Sequence, residues 1–262
     1  MISTKFKNKN FFKMKFSTLK IFMAGLVILA AQASQAQTAT SVAPFTKVII
    51  SPNIQVTFVE GNKESVTVEK STVSPDKIHI EVNDNTLRIY LDGQKDFPKN
   101  KTTYEDGRKE KESLYKGTVV TATVVYKMLN SLSIRGEETQ LLKSPVEADK
   151  FKLTVYGESH VIFEKVAFNE LQAVLYGETE VDIKSGSIRD QRYTAYGESK
   201  INALGIDNKT TKITAYGEST FRINSDEAIR LTAFGDANVK YKGKASVEKG
   251  LTIGDTHISR ID

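Results

Sequence analysis

From about residue 131 the chain repeats itself, and that repetition constrains its fold more than any other feature. Aligned on glycine, the units read SIRGEETQL around Gly136, TVYGESHVIF around Gly157, VLYGETEVDI around Gly177, TAYGESKINA around Gly197, TAYGESTFRI around Gly217, TAFGDANVKY around Gly235 and LTIGDTHIS around Gly254. The intervals are 21, 20, 20, 20, 18 and 19 residues. A period of that length is the signature of stacked structural coils, each burying its apolar face on its neighbours.

Within a unit the apolar residues alternate, which is the period of a strand. Leu153 and Val155, Tyr193 and Ala195, Ile213 and Ala215, and Leu231 and Ala233 precede the aromatic-glycine pair, with Thr154, Thr194, Thr214 and Thr232 between them. After the glycine, apolar residues return at Val161 and Phe163, Val181 and Ile183, Ile201 and Ala203, Phe221 and Ile223, and Val239 and Tyr241. Two arrangements satisfy this. In one, a continuous strand turns glycine and Ser159, Thr179, Ser199 and Ser219 inward. In the other, a corner or bulge at Gly-Glu resets the phase, with glycine at positive φ. On the continuous strand, Tyr156, Tyr176, Tyr196, Tyr216 and Phe234 form an outward ladder, beside a second ladder of Glu158, Glu178, Glu198, Glu218 and Asp236. Coils about 4.8 Å apart stack identical side chains directly. Solvent, a cation, or Lys200 and Arg222 would relieve the acids.

The same alternation runs through Ile54, Val56 and Phe58, then Val66 and Val68, then Ile78, Ile80 and Val82, then Leu87, Ile89 and Leu91. Glu60-Gly61-Asn62 and Asn83-Asp84-Asn85 carry the turn residues that reverse a strand. Residues 92–117 are rich in charge and poor in core residues, and read as a solvated polar loop. The expected fold is therefore all-β: a parallel (right-handed) β-helix or β-solenoid with coils of about 20 residues. Further strands precede it and pack on or continue it. The expected segments are a signal peptide at 1–36, a linker at 37–44, an N-terminal β region at 45–130 and the repeat solenoid at 131–262.

The signal-peptide reading follows from the distribution of charge. The 262-residue chain carries a formal +5, yet Lys5, Lys7, Lys9, Lys13, Lys15 and Lys20 all precede residue 37 and no acid does. The remainder has 31 basic against 32 acidic residues and lacks the footprint of a nucleic-acid binder. An apolar run from Ile21 to Ala31 follows the lysines, and Ser34-Gln35-Ala36 offers small residues for cleavage before Gln37. A retained anchor would need about 20 apolar residues, and Gln32 ends this run first. Met14 is an alternative start. The chain has no cysteine, which removes disulfides, thiolate metal sites, thiol nucleophiles and lipidated cysteine. The expected destination is the periplasm, the outer-membrane surface or the medium.

These segments resemble a known family, the putative auto-transporter adhesins with a head GIN domain, secreted and surface-associated proteins of Gram-negative bacteria. The resemblance spans nearly all of residues 45–259. It rests on Phe45-Thr46-Lys47-Val48-Ile49-Ile50, on the strand Ile54 to Gly61, on Val124 to Gly136 (VVYKMLNSLSIRG), and on the ending VKYKGKASVEKGLTIGDTHISRI. Ala245 stands where the family usually has proline, and aromatic-Gly-Glu replaces its more frequent Ser-Gly-Ala or Ser-Gly-Ser. The resemblance implies a parallel β-helix-like solenoid and no established catalytic residues.

The remaining chemical signals are weak. Gly157-Glu158-Ser159 and its copies lack the second glycine of a nucleophile elbow, where Val161, Val181, Ile201 and Phe221 stand. His79, His160 and His257 share no metal-ligand spacing, and no cofactor or metal is expected. The expected function is a non-catalytic binding or adhesion module whose candidate contact face is Tyr156, Tyr176, Tyr196, Tyr216 and Phe234. Its partner would be a glycan or an envelope or host protein. One alternative is a polysaccharide-active enzyme of the parallel β-helix type, by fold analogy. The other is a purely structural envelope protein, in which the rings only stabilise the stack.

Overall fold

The computed structural model describes residues 39–95, 100–105 and 108–262, without the side chains of 96–112. The signal peptide expected at 1–36 lies outside the described residues. Each coil consists of a long strand, a corner and a shorter strand, as in Val166–Tyr176 followed by Thr179–Ile183, or Gly186–Tyr196 followed by Ser199–Ala203. Every such strand pairs in parallel with its equivalent one coil away, so that Tyr176 aligns with Tyr196 and Val181 with Ile201. The long strands build a 10-stranded sheet and the short ones an 11-stranded sheet. Between the sheets lies one continuous core. Val155, Leu175, Ala195, Ala215 and Ala233 enter it from one side, and Val161, Val181, Ile201, Phe221 and Val239 from the other. Burying each larger aliphatic side chain in this way contributes roughly 1.5–3 kcal/mol.

The corner is the second of the two arrangements that the alternation allows, although it does not reset the phase. Leu175 points inward, the next three residues (Tyr176, Gly177 and Glu178) are exposed, and Thr179 and Val181 point inward again. Glycine is required where the chain turns. Gly197 has φ of 107°, and a Cβ there would stand 2.9 Å from the carbonyl oxygen of Gly177. Pairing between coils continues through the turn: Gly197 N donates to Tyr216 O at 2.8 Å, and Ser199 N to Glu218 O at 3.1 Å.

The strands before residue 131 belong to the same stack. Lys47–Ile50 pairs in parallel with Ser131–Gly136, and Ile54–Glu60 with Thr139–Leu142, so residues 45–60 are themselves a coil. Its corner is Ser51-Pro52-Asn53, with Asn53 at φ 67° in place of glycine. Thr86–Leu91 and Val120–Tyr126 add another parallel coil outside it, interrupted at its corner by residues 92–119. Ser65–Ser71 and Ile78–Asn83 then pair antiparallel and cover that end. Thr40–Ser41, inside the expected 37–44 linker, forms a short edge strand against Ser65 and Val66.

The polar segment 92–117 is a loop only in part. Asn100–Glu105 and Arg108–Ser113 form an antiparallel pair that bonds no other strand among the described residues. The register sets Lys101 opposite Glu112 and Glu105 opposite Arg108. Opposite charges at facing positions of a ladder favour pairing, so a charge-rich segment can form strands.

Candidate functional site

The aromatic position falls at the end of each long strand, immediately before the corner, and the parallel register brings one ring per coil onto a single line. Centroids of Tyr156 and Tyr176 lie 4.9 Å apart, Tyr176 and Tyr196 4.9 Å, Tyr196 and Tyr216 4.8 Å, and Tyr216 and Phe234 5.1 Å. Interplanar angles are 2° to 6°. All five residues expected from the sequence are thus brought together. The tyrosines are 37% to 42% exposed. With the rings stacked on one another, the row offers solvent mainly ring edges and phenol hydroxyls. Each stacked pair contributes about 0.5–1.5 kcal/mol beyond area burial.

Beside the rings run the exposed carboxylates of Glu158, Glu178, Glu198, Glu218 and Asp236, extended by Asp255. At the C-terminal end they line a groove of about 540 Å³, where Asp236 Oδ1 accepts Asp255 N at 3.0 Å and Lys200 supplies a positive charge. Under the corner, Ser159 Oγ donates to Gly136 O at 2.8 Å, and Thr179 Oγ1 bonds Ser199 Oγ at 3.1 Å. These hydroxyls are structural partners of the turn.

Two groupings escape a reading by linear spacing. His160, Glu180 and Asp182 lie on adjacent short strands with one donor atom of each within 4.8 Å of the others. His160 Nε2 is 2.8 Å from Asp182 Oδ2, while Asn202 Nδ2 donates to Asp182 Oδ1 at 3.0 Å. Imidazole and carboxylate donors are of the types that hold divalent transition metals. The signal was the coil interval itself, since 160, 180 and 182 are neighbours only once coils stack. The second grouping is a cleft of about 920 Å³ where the 92–119 insertion meets the first corners, with Tyr156 and Glu138 in its wall.

A parallel two-sheet β-solenoid carrying an exposed row of one residue type per coil is the architecture of a rigid repetitive scaffold. The chain belongs to the family described as putative auto-transporter adhesin, head GIN domain, whose profile matches residues 44–245. It is similar in structure to a putative adhesin of Bacteroides fragilis (18% identity, TM-score 0.70, covering 86% of this chain and 95% of the other). A putative adhesin of Parabacteroides distasonis (18%, TM-score 0.61, 86% and 95%) and a putative lipid binding protein of the same species (13%, TM-score 0.61, 86% and 96%) share the fold. Comparison with curated proteins gives no match.

Proposed function

We propose that the protein is an exported, non-catalytic surface or envelope module of the adhesion type, and that its contact strip is the ladder Tyr156, Tyr176, Tyr196, Tyr216 and Phe234. The observation that carries this reading is the alignment of five partly exposed rings at 4.8–5.1 Å intervals along one edge. Aromatic side chains that stay half exposed in a rigid row present contact area at little entropic cost, the property that enriches tyrosine in binding surfaces. Family membership supports a surface role, and the lysine-rich leader of the sequence supports export. The acids follow the coil period instead of converging on one point, which favours binding over polysaccharide cleavage.

A second reading, that the ladder only stabilises the stack, is favoured by the ring-on-ring geometry. One experiment separates the two. Tyr176 and Tyr196 are changed together to Ser, and beads coated with the mature chain are tested for adhesion to glycan- and protein-coated surfaces while stability is followed by denaturation. Loss of adhesion with the fold retained supports the contact strip. Loss of roughly 1–3 kcal/mol of stability with adhesion unchanged assigns the ladder to structure.

A further inference from the structure

The first glycine corner departs from all the others, and it does so beside the cleft. Gly136 aligns with Gly157 and Thr139 with His160, so Glu138 occupies the inward position held by Ser159 in the next coil. A carboxylate therefore replaces a hydroxyl, and it is 7% exposed. Its Oε2 accepts Glu137 N at 3.2 Å. The ladder next to it is broken as well: Ile54–Glu60 and Thr139–Leu142 pair only at Thr57 with Leu141 and Phe58 with Leu142. The Gln140 amide bridges the gap, its Oε1 accepting Val56 N at 3.0 Å and its Nε2 donating to Ile54 O at 2.8 Å. The cleft is lined by the corner itself, through Gly136, Glu137 and Glu138.

Its wall is fixed in place. Asn53 Nδ2 donates to Gly117 O at 2.7 Å and Asn53 Oδ1 accepts Gln94 Nε2 at 3.0 Å, which ties both ends of the insertion to the Pro52-Asn53 corner. Gln94 lines the cleft, is 2% exposed, and its Oε1 has no hydrogen-bond partner. A buried acceptor left unpaired costs about 1–3 kcal/mol and calls for an explanation. Tyr115, and Tyr156 at the head of the ladder, add aromatic surface to the same wall. The volume lies within the range of roughly 300–1,000 Å³ usual for small-molecule sites.

We propose that this cleft binds a terminal saccharide unit, with the Glu138 carboxyl and, once its covered amide turns outward, Gln94 Oε1 accepting from sugar hydroxyls and Tyr115 and Tyr156 packing on the sugar's C–H face. The inference deepens the surface-binding reading and rests on it. The chemistry selects among ligand classes. An acyl chain would leave both acceptors unmatched, and the wall mixes Glu137, Glu138 and Glu158 with Lys116 and Arg135, which favours a ligand without net charge. A neutral polyhydroxylated ring supplies donors to the acceptors and an apolar face to the phenols.

The probe is a printed glycan array overlaid with the labelled mature chain, followed by titration calorimetry with the strongest free oligosaccharide. Four chains are compared: wild type, Gln94→Leu, Tyr115→Ser and the Tyr176→Ser/Tyr196→Ser pair, each checked by thermal melting. Binding by wild type and by the ladder pair, weakened about tenfold or more in each cleft variant that melts like wild type, is the expected result. Wild-type chain that retains no saccharide overturns the inference, and so does equal retention by wild type and Tyr115→Ser. Saccharide binding lost only in the ladder pair also overturns it while leaving the contact strip standing. Adhesion to protein coats that depends on the ladder, without any saccharide binding, sinks the cleft alone.

Discussion

The two ends of the stack are finished in different ways. At the N-terminal end the last parallel strands, Thr86–Leu91 and Val120–Tyr126, are covered by Ile78–Asn83 and Ser65–Ser71 running the other way. Leu87, Ile89, Leu91, Val120 and Val124 are fully buried there. Tyr90 OH donates to Glu81 Oε1 at 2.5 Å and Lys95 Nζ to Glu81 Oε2 at 2.9 Å, pinning the cover strand with polar contacts on its outer side. At the C-terminal end, Ser246–Ile253 and Thr256–Arg260 each have a parallel neighbour on one side only among the described residues. The register slips between Leu231 and Ala233, whose partners are Lys249 and Thr252. A one-residue slip reverses the faces of a strand, so Thr252 takes the inward course and Leu251 and Ile253 are left about 60% exposed. Parallel stacking can extend a solenoid without limit but cannot by itself end one. The end needs a strand of opposite direction, or it stays open.

That contrast can be tested with one substitution placed twice. Gly197→Val, inside the stack, combines positive φ on a β-branched residue with a Cβ 2.9 Å from Gly177 O, and should cost about 3–5 kcal/mol in denaturant unfolding. Gly254→Val meets a still closer carbonyl, 2.6 Å from Gly235 O. It should cost less than about 1 kcal/mol globally, because the last coil can open on its own. Equal costs would mean that the open end is as cooperative as the middle. A smaller effect separates Leu87→Ala, expected to lose about 2–4 kcal/mol, from Leu251→Ala, expected within about 0.5 kcal/mol of the parent. Thermal and urea melts of both would show whether the exposed leucine contributes to the core.

The third test uses charge. Burial raises the Glu138 carboxyl above its ordinary 4.5. An acid whose pKa is higher folded than unfolded favours the native state below the unfolded value, and that contribution disappears as pH rises through the folded value. Glu138→Gln should therefore match wild type in strong acid and become the more stable protein towards neutral pH, as read from urea midpoints across pH 3–8. The smallest effect is expected at the insertion. Replacing residues 96–112 with a short Gly/Ser linker should move the melting temperature by less than about 2 °C, since the strands in it join neither sheet of the stack among the described residues. Limited proteolysis should cut this segment first. A collapse of the fold would show that the hairpin holds the cap.

The glycine interval and the alternation around it made the coils legible, and with them the line of Tyr156 to Phe234. Coil 45–60 was harder to see as a coil because Pro52-Asn53 stands where later coils have aromatic-Gly-acid. Asn53 tolerates positive φ better than most residues and its side chain is tied to Gly117 O and Gln94 Nε2 from distant parts of the chain, and no glycine marks the turn. The corner itself stayed ambiguous because three consecutive outward residues preserve the same parity as a continuous strand. The cleft was hidden for a different reason. Gln94, Tyr115 and Glu138 are far apart in sequence and meet only across the stack, and the visible clue was Glu138 in a column of Ser and Thr.

The tyrosine ladder also gives the protein optical properties. The chain has no tryptophan, so its near-ultraviolet spectrum belongs to phenols and phenyl rings, and four of its ten tyrosines lie in one parallel column less than 5 Å from centroid to centroid. The near-ultraviolet transition of phenol is weak, so neighbouring rings couple by less than the width of their bands even at this spacing, and excitation passes between them by transfer. The column should show a near-ultraviolet dichroic band unlike that of isolated tyrosine, and a change at one rung should perturb its stacked neighbours first.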